Sequence, residues 1–166
     1  MQQILKQISM NLFQVNRQTR ENVLKVIEEL STHQLNEIPE GFTNNIIWHI
    51  GHLLATQQLL TYGLSGNDIL LSDNIISEFR KGTKPESLYT AEDIEELKSL
   101  LIVVIENTEE DFEMKELTSD DFKAYPTSYG VTLQNVEDAV AFNNVHEGVH
   151  LGIIMSMKKM VFKNKS

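Results

Sequence analysis

Four stretches of this chain repeat apolar residues every three or four positions, and no stretch of useful length alternates as a strand would. That pattern confines the chain to helix packed on helix. In the first stretch Ile4, Ile8, Leu12, Val15, Thr19, Val23, Val26 and Leu30 form one stripe, which ends before a turn at Pro39-Glu40-Gly41. The second, from Asn45 to Tyr62, is apolar most of the way round through Ile46, Ile47, Trp48, Ile50, Leu53, Leu54, Leu59 and Leu60, and so belongs in the middle of a bundle. Thr43 or Asn44 can cap it. The third opens at Thr90-Ala91-Glu92-Asp93, a capping box with an acidic first turn, and continues through Ile94, Leu97, Leu101, Val104, Ile105 and Phe112. The fourth runs from Leu133 to Phe162, with Lys158, Lys159 and Lys163 near its negative dipole end. Two long connections separate the later helices: residues 63–89, with a short helical piece around Asn74 to Phe79, and residues 116–131. The expectation is one all-α domain over residues 1–166. It is a four-helix bundle whose two long connections permit a topology other than simple up-and-down.

Composition narrows the function classes. With 14 basic and 24 acidic residues the formal charge is −10, and such a surface repels nucleic acid and anionic lipid. The chain has no cysteine, which removes disulfides, zinc–thiolate sites and thiol nucleophiles together. No apolar run reads as a signal peptide or a membrane span. A cytoplasmic protein is expected, with no nucleic-acid or membrane partner.

The strongest chemical signal lies on the fourth helix. At about 100° per residue, Ala139, Phe142, His146, Val149, His150, Ile153, Met157 and Met160 share one face, so two imidazoles sit in mid-stripe on neighbouring turns. Left unpaired in an apolar interior, each would cost about 1–3 kcal/mol. Carboxylates or backbone groups could satisfy them, and so could a metal, for which neutral imidazole is a common ligand. The second helix offers His49 and His52, either of which can complete a set of three nitrogens from two helices. Three ligands with an open position suit a catalytic or exchangeable site. His33, in the polar stretch after the first helix, reads as a solvated side chain.

His146-Glu147-Gly148-Val149-His150 also fits the H-E-x-x-H pattern of zinc peptidases, whose glutamate is the general base. Those enzymes usually take a third ligand downstream, yet the 16 residues after His150 hold no His, Asp or Glu. Glu147 is therefore a weak catalytic candidate, with a solvated place on the helix flank the simpler reading. Ala141, Gly148 and Gly152 form a small-residue stripe, explained by close intrachain packing or by a homodimer.

The segment Asn45-Ile46-Ile47-Trp48-His49-Ile50-Gly51-His52-Leu53 resembles the W-x-x-G-H-L segment of the DinB-like superfamily of bacterial four-helix bundles. Asn144-Val145-His146-Glu147-Gly148-Val149-His150-Leu151-Gly152 resembles that family's H-x-x-x-H-x-G segment, with fainter echoes in Phe79-Arg80-Lys81-Gly82-Thr83-Lys84-Pro85 and Tyr129-Gly130. By this resemblance the ligands are His52, His146 and His150, with His49 a neighbour. It further implies a divalent ion, nickel or zinc, an open coordination position and frequent homodimers. Some members of the family use low-molecular-weight thiols in S-transfer or isomerisation; others are regarded as metal-dependent hydrolases.

The expected function is a metal-dependent enzyme of the thiol S-transferase kind acting on a small molecule. Its substrate or thiol would enter an apolar mouth near Trp48, Tyr125 or Tyr129. A metal-dependent hydrolase assisted by Glu147, and a non-catalytic metal-binding stress-response module, are the alternatives.

Overall fold

The computed structural model describes residues 2–163 and the side chains of residues 12–162; Ile4, Ile8 and Lys163 of the sequence reading lie outside the described side chains. The chain is a helical bundle built from α1 (Gln2–Ile27), α3 (Ile46–Gln58), α5 (Ala91–Met114) and α6 (Val136–Lys163). Two short helices, α2 (Thr32–Asn36) and α4 (Asp73–Phe79), sit in the connections, and strands β1 (Tyr125–Pro126) and β2 (Thr132–Leu133) form a small antiparallel hairpin. Helices α1 and α3 each pack against both α5 and α6 and stand diagonally across the bundle. Successive long helices are therefore not always neighbours, as the long connections allow. Among the described residues no helix is long and apolar enough to cross a membrane.

The caps follow local chemistry. Thr90 and Asp93 form the expected capping box, and Ser31 with Gln34 forms another that starts α2, a helix absent from the sequence reading. The cap of α3 is Asn45 rather than Thr43 or Asn44: its side chain accepts from Trp48 N while Nδ2 donates to Asn36 O, so one amide serves two segments. Helix α3 continues into a π-helical turn at Leu59–Gly63, and α6 begins three residues later than expected because Leu133 belongs to the hairpin.

Two faces are rotated from the simple apolar stripes. On α1 the inward line is Phe13, Asn16, Arg20, Val23 and Ile27, whereas Val15 is 53% exposed. On α6 the histidine face looks toward α3, and a second buried face, Val140, Asn143, Glu147 and Ile154, looks toward α1 and α5; Val149 is exposed. The small-residue stripe is not a close intrachain contact. A Cβ at Gly148 or Gly152 would meet nothing within 4 Å, and Ala141 is exposed.

Candidate metal centre

Helix α3 lies between α5 and α6, and its Ile46, Ile47, Ile50, Leu53 and Leu54 are fully buried. That burial fixes its rotation and turns His49 and His52 toward His146 and His150 on α6. One nitrogen from each of His52, His146 and His150 lies within 4.8 Å of the others. The three candidate ligands named from the sequence thus converge. His33 is exposed on α2, apart from them.

Specific contacts orient His52 and His150. The carbonyl of Phe79 accepts from His52 Nδ1 at 2.7 Å, and since a carbonyl can only accept, this nitrogen carries the proton and Nε2 keeps its lone pair. Phe79 reaches His52 because residue 51 is glycine: a Cβ there would lie 2.3 Å from the Phe79 ring. Trp48 stacks on His52 with ring centroids 4.5 Å apart and planes 13° from parallel, and its Nε1–H donates to Thr83 Oγ1 at 2.9 Å. His150 Nδ1 lies 2.8 Å from His49 Nδ1, so one of the two carries the shared proton; with that proton on His150, its Nε2 keeps the lone pair. His49, a possible third ligand by its position and a neighbour by the family resemblance, is a partner of a candidate ligand.

His146 Nε2 and His52 Nε2 are 3.3 Å apart, and His146 Nδ1 is buried without a partner. Two nitrogens held about 2.0–2.1 Å from one zinc at the tetrahedral angle are themselves about 3.3 Å apart. The spacing is long for an N–H···N hydrogen bond and right for two lone pairs aimed at one ion. The donor set, all imidazole and neutral, suits a divalent transition metal.

Burial keeps these rings neutral. It lowers His49 to about 4, with the nearby His52 adding to the effect. It lowers His146 to about 4, helped by His52 and His49, and His150 to about 2, helped by His146, His52 and His49. His52 is lowered too, chiefly by burial and further by the charge of Lys81, with the Phe79 carbonyl opposing. At neutral pH an ion would have no proton to displace.

Beside His52 and His146 opens a cavity of about 470 Å³. Leu59, Leu60 and Gly63 of the π-helical turn form one wall; such turns widen a helix locally and recur at functional sites. Tyr125 lines it as expected, whereas Trp48 serves as the platform under His52, and Tyr129 packs edge-on against Phe142.

The sequence profile of the DinB superfamily matches residues 16–154. The chain belongs to the DinB superfamily. No curated protein matches it. The match includes both histidine segments and hence all three candidate ligands.

Glu147 sits elsewhere. It is fully buried, not solvated on the flank, and accepts from Arg20 through Nε at 3.2 Å to both oxygens and through Nη2 at 2.8 Å, with Asn143 Nδ2 adding a bond at 2.8 Å. Arg20 Nη1 also donates to Leu101 O on α5 at 2.9 Å. Adjacent residues of one helix point about 100° apart. This glutamate therefore faces α1 and α5 while His146 faces α3.

Proposed function

We propose that His52, His146 and His150 hold one divalent ion, zinc or nickel, and that the protein is a metal-dependent enzyme of thiol S-transferase type working on a small molecule in the adjoining cavity. The observation that carries this reading is three convergent neutral imidazoles, with no carboxylate among them, two of which, His52 and His146, line a half-open and largely apolar cavity. A divalent ion there would supply a Lewis-acid position that favours a thiolate over a thiol near neutral pH. The chain's own part is to fix the ligands. Phe79 O and Trp48 hold His52, His49 holds His150, and the apolar walls exclude water from a bound thiol and its electrophile.

Hydrolysis with Glu147 as base finds less support, because that carboxylate is already committed to Arg20 and Asn143. A purely structural ion would not need the neighbouring cavity. The test is to load the protein with zinc or nickel and supply a bacillithiol-like thiol with monochlorobimane. Conjugation well above that of a His150→Ala variant is expected; equal rates in the two proteins would overturn the reading.

A further inference from the structure

The cavity beside His52 and His146 carries information about the shape and charge of what enters it. Its walls include Leu59, Leu60, Leu64 and Phe142, and among the described residues its one full charge is Lys81. None of the described carboxylates lines it, although acidic residues outnumber basic ones 24 to 14 in the chain. Lys81 is exposed to solvent, which screens it, but an ammonium beside an apolar surface still attracts an anion more strongly than a charge surrounded by water. The lysine's loop is also anchored. Thr83 Oγ1 donates to Arg80 O at 2.8 Å and accepts from Trp48 Nε1, which ties residues 80–83 to the helix bearing His52. Gly82, at φ +94°, takes the left-handed conformation this turn needs.

We propose that the cavity binds a small amphipathic organic anion, its charged end paired with Lys81 and its apolar body against Leu60, Leu64 and Phe142, within reach of His52 and His146. This names the substrate class for the three-histidine site and rests on that site as the reacting centre. Neither the thiol nor the metal is needed for the recognition itself, which lets the two ideas fail separately.

The experiment uses metal-free, full-length protein and two fluorescent probes of similar shape, the anionic 8-anilinonaphthalene-1-sulfonate and the neutral N-phenyl-1-naphthylamine. Lys81→Gln should weaken the sulfonate about fivefold, near the upper end for a partly solvated ion pair, and leave the neutral probe unchanged. Lys81→Arg should retain most of the affinity for the sulfonate. Ser128→Trp, which puts bulk at a lining position, should weaken both probes. Unchanged sulfonate affinity in Lys81→Gln, equal loss of both probes in that variant, or indifference of both probes to Ser128→Trp would each overturn the proposal. Zinc titration of the same proteins scores the histidine site independently: a protein that binds the anion but no metal sinks the metal reading alone.

Discussion

Residues 146 and 147 are neighbours in the chain and belong to two opposite kinds of buried polar cluster. On the α3 side, His146 joins His52, His150 and His49 in a group of rings too close to be comfortable, with one nitrogen unpartnered and a cavity alongside. On the other side, Glu147 meets Arg20 in a fully enclosed ion pair, both oxygens engaged. The first cluster has unspent donor capacity and access for a ligand; the second has its charges neutralised and no access. One therefore leaves nitrogens open to a ligand, and the other holds three helices in register.

The sharpest way to break this contrast is to remove one partner of the closed cluster. Arg20→Met leaves the Glu147 carboxyl in the interior without its ion-pair partner, and should cost about 3–5 kcal/mol. For a chain of this size that lowers the melting temperature by roughly 6–20 °C. Adding Glu147→Leu should recover most of the loss, since the pair owes its value to mutual neutralisation. Zinc affinity of the folded fraction should stay close to that of the unaltered protein. A large fall in affinity in the double variant would mean the two clusters are coupled, and the division drawn here would fail.

The sequence is legible where chemistry and periodicity agree, and misleading where they part. The Thr90 capping box, the α3 core and the two histidine segments were readable because apolar spacing and special residues point the same way. The Arg20–Glu147 pair was not. Its residues lie 127 positions apart, and each looks like an ordinary solvated charge. Excluding them from the core shifted the expected α1 stripe onto Val15 and Thr19. The spacing of Phe13, Asn16, Arg20, Val23, Ile27 and Leu30 is equally helical, and it was available to a reading that admitted polar residues to a buried face. The role of His49 stays open in the sequence for a similar reason: nothing in Trp48-His49-Ile50-Gly51-His52 says which ring ligates and which supports until α6 is in place.

A second test contrasts two glycines, one packed beside the histidine cluster and one on the exposed face of α6. Gly51 has the Phe79 ring against it, so Gly51→Ala overfills the contact and should cost about 1–3 kcal/mol. Because the displaced Phe79 carbonyl also orients His52, zinc affinity should fall in parallel. Gly148 has open space where a Cβ would stand, so Gly148→Ala on the exposed helix face should stabilise by about 0.5–1 kcal/mol. Thermal melts of the two variants should therefore move in opposite directions. If Gly51→Ala melts and binds zinc like the unaltered protein, glycine is not what lets Phe79 set the His52 tautomer.

The finest probe of the open cluster is His49, whose only assigned work is to hold His150. His49→Leu removes the partner of His150 Nδ1 while keeping the volume apolar, and should weaken zinc binding about tenfold, the lower end for losing a group that orients a ligand. Metal-free stability should change by less than about 1 kcal/mol, because half-buried His150 can turn its nitrogen to water. His49→Gln, whose amide oxygen can still accept from His150 Nδ1–H, should restore part of the affinity. Competition against a chromophoric zinc chelator measures all three proteins. Equal affinities across them would show that His150 needs no orienting partner and that the 2.8 Å contact is only a way of filling space in the metal-free protein.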